Sequence, residues 1–305
     1  MSQLSARIVK DFRKNKRIYL MALPMLVFLL LFRYLPMLGI SIAFQDFKTR
    51  AGIFGSPWVG LKYFRQFFAS PSSWQIIFNT LRISITSLIF SFPFPILLAV
   101  ALNECGNRFY KKTVQMITYA PYFISTVVLV GIILQVTDLR MGVINIAIDL
   151  LGGDPVNFMG NPDMFVPIYV ISGIWAGAGY SSILYLAALS GVSPELHEAA
   201  IMDGASRIKR VWHIDLPTIL PTVVLMLIMN LGKVMNVGYE KVYLMQNDLN
   251  LSVSDVISTY SYRIGLESAQ YSLSTTITLF NSLVNCALLL IVNTVSRKLS
   301  ETSLW

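Results

Sequence analysis

The side chains with the most obvious chemical promise are His197 and Glu198, in the stretch SPELHEAAIMDGASRIKRVWHIDLP, residues 193–217. The pair opens as a zinc-protease helix would, where H-E-x-x-H brings two metal-binding histidines onto one face and supplies a glutamate base. That pattern requires a second histidine at 201, and Ile201 stands there. The remaining histidine, His213, is too far along to share the face. Cys105 and Cys286 are far apart and outside any C-x-x-C, so they read as packing residues. No metal site is expected.

A second set of polar groups lies in apolar surroundings. Asn230, Lys233 and Asn236 recur every three residues, Asn281 and Asn285 are four apart, and Gly173, Gly177 and Tyr180 share a helical face. Polar side chains at membrane depth are expensive and mark a pathway. Amides, a tyrosine and a small-residue gap suit a sugar, whose hydroxyls need donors and acceptors. Each has a structural reading beside it. Gly173 and Gly177 form a small-x-x-x-small helix contact, the asparagines bond across helices, and Lys233 snorkels.

The elements that position these residues are set by composition. Of 305 residues, 55% are hydrophobic and only 13% charged, with mean hydropathy +0.62. Soluble domains carry about 25% charged residues, so the chain belongs to the membrane class. A span needs about 20 mostly apolar residues. Six segments qualify, at about 18–44, 76–103, 114–136, 165–190, 217–237 and 275–296. All are expected to be helices, since lipid offers backbone groups no partner. The expected fold is all-α, a polytopic protein with six transmembrane helices. The first run follows a basic segment as a signal peptide would, but no small-x-small cleavage site follows it and five more spans do.

Lysine and arginine set the orientation. The N-terminus, the second and fourth connections and the C-terminus hold 14 of them, against 7 in the other connections. Both termini and residues 193–217 are therefore expected to be cytoplasmic, in a multi-pass protein of the cell membrane. The net charge of +8 is read through this asymmetry and not as nucleic-acid binding. Lys233 lies about 16 residues along the fifth span, roughly 24 Å, in the outer half of the bilayer. All 16 acidic residues fall outside the drawn spans. An intramembrane hydrolase would lack its general base, and an ion-coupled transporter would lack the embedded carboxylates it normally uses.

The polar stretch itself reads as a surface helix. Ser193 suits the N-cap, Pro194 the first turn, and acids precede Arg207, Lys209 and Arg210 along the dipole. Ala199, Ala200, Asp203 and Gly204 leave one face with little bulk, so that another protein can approach the backbone. Pro217 and Pro221 mark the start of the fifth span.

Here the sequence resembles a known family. Glu198-Ala199-Ala200, then Gly204 preceded by Asp203, then Ile214-Asp215-Leu216-Pro217 is similar to the "EAA" signature of permease subunits of bacterial binding-protein-dependent ABC importers. The wider chain looks most like the maltose-type, oligosaccharide-importing branch, without the large periplasmic insertion of the maltose permease. The resemblance implies a type I permease fold, with a cytoplasmic segment 1–17, a permease domain 18–296 and a tail 297–305. It implies a coupling helix at about 193–210 that docks on an ATPase subunit through Glu198, Ala199, Ala200, Asp203, Gly204 and Pro217. It implies a sugar site on the helices that carry Gly177, Tyr180, Asn230, Lys233, Asn236, Asn281 and Asn285. The implied partners are a second homologous permease, two ATPases, an extracellular solute-binding protein and membrane lipid. The P-loop pattern is absent: the only Gly-Lys pair, Gly232-Lys233, has Leu227 where glycine is needed and Val234 after it. The chain is thus expected not to be an enzyme and to hold no cofactor, with ATP and Mg²⁺ on the partner subunits. Import of another solute, a peptide or polyol, is left open by the motif.

Overall fold

The structure, a computed structural model, describes residues 14–300, with side chains through Lys298. Most of the segment 1–17 and most of the tail 297–305 lie outside the described residues. Helix follows helix along the chain: α1 (Lys16–Phe44), α2 (Lys62–Ala69), α3 (Pro71–Asn103), α4 (Arg108–Phe123), α5 (Thr126–Val136), α6 (Val143–Leu150), α7 (Pro162–Leu189), α8 (Pro194–Met202), α9 (Arg207–Leu231), α10 (Tyr239–Met245), α11 (Ile257–Tyr262) and α12 (Tyr271–Ser300). Among the described residues the extended backbone pairs only in an isolated bridge, Gln45 with Trp58.

Five helices, α1, α3, α7, α9 and α12, are long and apolar enough to cross a membrane. The expected third span is different. It is the pair α4–α5, bent by 102°. Pro121 tightens the end of α4 into a 3-10 turn, Ile124 is extended, and the Ser125 hydroxyl accepts from Val128 N to start α5 afresh. The hydropathy of residues 114–136 carries no mark of that break beyond the proline.

One compact unit comprises the described residues up to Phe67 with Ile264–Leu279. It is held where α1 ends: Tyr63 Oη donates to Asp46 at 2.6 Å, Phe47 N donates to Ser272 Oγ at 2.9 Å, and Thr276 Oγ1 donates to Ala43 O at 3.1 Å. The bond from Tyr63 holds the Asp46 carboxyl below its usual range.

The second unit runs from Phe68 to Arg263 and resumes at Phe280. Its axis is α7, against which α3, α4 and the later part of α9 pack. One core collects Ile83 of α3, Leu129 and Ile133 of α5, Phe165 and Val170 of α7, and Val242 of α10. A second joins Ala99, Tyr185, Leu189 and Ile219. Other large apolar side chains, such as Leu97, Ile171 and Leu290, are exposed, as expected of surfaces that meet lipid. The tightest contact is at Gly179. A Cβ there would lie 1.9 Å from Thr118 O, so only glycine lets α7 meet α4.

The acids were expected to lie outside the spans. Two lie within span helices, Asp163 in the first turn of α7 and Asp215 in α9. Asp163 is there because Asn161 caps the helix, starting it earlier than hydropathy indicates.

Candidate functional site

Two places in the second unit carry the polar residues singled out from the sequence. The first is the α7–α9 connection. The single helix expected over about 193–210 is two. Helix α8 ends at Met202, and Arg207–Arg210 is already the first turn of α9, capped by Ser206 Oγ, which accepts from Lys209 N. Ser193 occupies the N-cap of α8 but its side chain makes no cap bond. The break follows from Gly204, at φ +74. Gly204 N donates to Ile201 O and Ala205 N to Ala200 O, at 2.9 and 2.8 Å. This is the paired closure of a helix by a left-handed residue.

Around that turn the surface is open and apolar. Glu198, Ala199, Asp203 and Gly204 are exposed, Ala200 half-buried and Pro217 exposed. Leu196, Ile201, Met202 and Ile208 are exposed too, Met202 to 87%. Beneath them His197 Nε2 sits 3.2 Å from Oδ1 of Asp215, which is 1% exposed. No aligned hydrogen-bond donor reaches either oxygen of that carboxylate, and the imidazole nitrogen is the polar group that faces it. The pair ties α8 to the first turns of α9. Among the described residues no cluster of three metal-ligating side chains occurs.

The second place is a cavity of about 440 Å³ walled by α3, α7, the end of α9 and the residues after it. Asn230, Lys233 and Asn236 all line it. They do so by a route different from the expected helical face. Helix α9 ends at Leu231, Lys233 sits in the turn that follows, and Asn236 closes that turn, its N–H donating to Lys233 O at 2.8 Å. Gly232 breaks the helix where a Cβ would lie 2.6 Å from Leu289 Cδ1 of α12. The turn is pinned from α12. Asn285 Oδ1 accepts from Met235 N at 3.0 Å, and Asn281 and Asn285 both donate to Asn236 Oδ1, at 2.8 and 3.0 Å. Those two asparagines are committed to holding the turn and do not line the cavity.

Gly177 and Tyr180 are not brought to the cavity either. Tyr180 stacks on Tyr122 of α4, ring centres 3.8 Å apart. A Cβ at Gly177 would meet open space, so it makes no close helix contact within the chain. Sequence reasoning passed over other wall residues: Ser84, Ser87 and Ser91 of α3, and Tyr169, Ser181 and Tyr185 of α7. The serines were legible, since spacings of three and four put them on one face of an apolar helix. Lys241 was also passed over. Its Nζ donates to Tyr169 O at 2.8 Å and lies 4.3 Å from the Tyr169 ring centre. Burial pushes its amine down to about 8.

Residues 91–301 match the family model of the binding-protein-dependent transport system inner membrane component. The chain belongs to this family. It is therefore a membrane protein and the permease component of an ABC importer. It is 41% identical over 299 residues to the polygalacturonan/rhamnogalacturonan transport system permease protein YteP of Bacillus subtilis (strain 168), covering 98% of this chain and 93% of that one. Among solved structures it is similar to a chain of a bacterial ABC transporter involved in the import of the acidic polysaccharide alginate. The TM-score is 0.91 and the identity 39%, over 96% of this chain and 99% of that one. It also matches, with TM-score 0.91 and 38% identity over 98% and 100%, a chain of the bacterial alginate transporter in complex with alginate pentasaccharide-bound periplasmic protein.

For a permease of this family, the two places have different chemistry available. The α8 surface offers exposed backbone, apolar side chains and one carboxylate to a macromolecule. The cavity offers hydroxyls, amides and one ammonium group to a small polar molecule.

Proposed function

We propose that this chain is the permease subunit of an ATP-driven importer whose cargo is an oligosaccharide delivered by an extracellular binding protein. The reading is carried by one observation. The chain matches an alginate-importing permease over nearly its whole length and keeps a cavity of ligand size walled by serines, asparagines and tyrosines. Such walls suit hydroxyl-rich cargo, which needs many donors and acceptors.

In this reading α8 is the coupling helix, and both termini are cytoplasmic. Glu198 pairs with a basic group on an ATPase subunit, and Gly204 ends the helix so that the turn fits against that partner. Exposed Leu196, Ile201 and Met202 supply the apolar contact, since a surface patch of this kind marks a docking site. ATP and Mg²⁺ are held by two ATPase subunits, and a second, homologous permease completes the membrane pathway. Closure of the ATPases moves α8, the His197–Asp215 pair carries that motion to α9, and the cavity is exposed to one side of the membrane and then the other.

The test is reconstitution of the complete transporter in proteoliposomes with labelled oligosaccharides. ATP-dependent uptake is expected, and Glu198→Lys abolishes it while the chain still inserts and ATP turnover becomes independent of cargo. Wild-type uptake by the Glu198→Lys complex would remove the docking role. Uptake of peptides or polyols in place of carbohydrate would remove the cargo assignment.

A further inference from the structure

The cavity holds one ionisable cation and no acid. Its lining residues include Lys233 and no aspartate or glutamate. Lys233 takes part in neither of the ion pairs found among the described residues, His197–Asp215 and Arg263–Asp255. Lys233 is exposed in the described chain, so its ammonium group is open to a ligand that enters the cavity, and a cation at such a place among apolar spans points to a pathway. Lys241, eight residues on, shows the alternative. Its Nζ is occupied by the carbonyl and ring of Tyr169, so it contributes structure and leaves Lys233 as the cavity's available charge.

The groups around Lys233 are poised in the same sense. Asn236 accepts from both Asn281 and Asn285 through Oδ1, which fixes the amide and leaves its NH₂ as the free donor. Ser87 Oγ is shielded from solvent and has no hydrogen-bond partner. An unpartnered polar atom in such a place is normally satisfied by something that binds there. Hydroxyl donors and acceptors with a lone ammonium group complement a molecule that carries hydroxyls and a carboxylate.

We propose that the cargo is an acidic oligosaccharide built of uronate sugars, and that Lys233 recognises its carboxylate. This rests on the carbohydrate reading and narrows it. A charge-assisted bond from ammonium to carboxylate is about twice as strong as the neutral bond a plain hydroxyl makes. Lys233 therefore distinguishes a uronate from the matching neutral sugar at the cavity itself, independently of the binding protein.

The experiment uses the purified permease–ATPase complex without binding protein, so that delivery does not enter. Two probes are compared: labelled uronate oligosaccharides, and the same material with its carboxyls reduced to primary alcohols. The wild type is expected to hold the uronate form more tightly. Lys233→Gln is expected to lose about tenfold in affinity for the uronate and to leave the reduced form within about twofold, whereas Lys233→Arg keeps most of the preference. Equal wild-type affinity for the two forms overturns the proposal. So does Lys233→Gln weakening both equally, which would mean that the lysine serves a lipid phosphate or a neighbouring subunit. Binding of neither form also overturns it. Uptake by the complete transporter is measured beside this. A complex that imports carbohydrate but ignores the carboxyl loses only the uronate assignment, and one that imports no carbohydrate loses the broader reading as well.

Discussion

The α8 surface and the cavity are built in opposite ways from the same chain. At α8 the charged and small residues stand in the open, held by backbone closure at Gly204 and one pair beneath, with apolar side chains left uncovered. At the cavity, polar residues are brought together from three helices and a turn, inside apolar walls, each set by contacts behind it. A protein partner can supply the missing cover for an open surface. A small cargo cannot, so the cavity must be shaped before the cargo arrives. Two glycines express this contrast. Gly204 is needed for its conformation, with nothing within 4 Å of an added Cβ, while Gly179 is needed for space, with a backbone oxygen 1.9 Å from one.

The largest effect is therefore expected at Gly179. The clash of Gly179→Ala is with the Thr118 carbonyl, which no rotamer change relieves. Overpacking typically costs about 1–3 kcal/mol and more where backbone must move. Gly179→Ala is expected to fall at or above the top of that range, with loss of a monodisperse complex in detergent and of the Tyr122–Tyr180 stack that follows it. A thermal midpoint equal to wild type would mean that α4 is free to shift against α7.

Next comes the pair under α8. Removing the imidazole leaves the buried Asp215 carboxylate without its one polar side-chain neighbour, and an unsatisfied buried group costs about 1–3 kcal/mol. His197→Ala is expected to lower the thermal midpoint and to reduce cargo-stimulated ATP turnover. Asp215→Asn added to His197→Ala should recover part of both losses. Strict additivity in the double-mutant cycle would show that the two side chains do not act together, and α8 would then be joined to α9 by backbone alone.

The sequence carried most of this arrangement unequally. The apolar segments follow from hydropathy, because lipid leaves no other way to satisfy a backbone, while their ends and the bend in the third do not. The α8 stretch was readable in part: a helix starting at Pro194 and a turn at Gly204 follow from local residues, whereas the break that makes two helices of the expected one does not. The cavity was readable only in part. Asn230, Lys233 and Asn236 were found for a reason that does not hold: a period of three suggested one helix face, whereas α9 ends at Leu231. They meet because Gly232 lets the turn press on Leu289 and because Asn285 grips it, contacts made across about fifty positions of sequence that periodicity does not encode. Gly177 was read as a pathway residue, with a small-x-x-x-small contact to Gly173 as its structural alternative, and a Cβ there meets open space. The residue that determines the approach is Gly179, and its need for space exists only once α4 is in place.

The smallest effect sharpens the other side of the comparison. Gly204→Ala meets no steric obstacle, so its penalty is that of a left-handed non-glycine residue, about 1–2 kcal/mol. The fold should survive and the end of α8 should fray, with a partial loss of coupling. This does not yet separate the turn from the docking surface, because both suffer. Gly204→Asn does, since asparagine accepts the left-handed conformation at lower cost but carries a side chain toward any partner. If Gly204→Asn regains the thermal midpoint and not the uptake, the glycine is kept for the close approach of an ATPase. If it regains both, the turn alone accounts for Gly204, and docking rests on Glu198 and the apolar residues beside it.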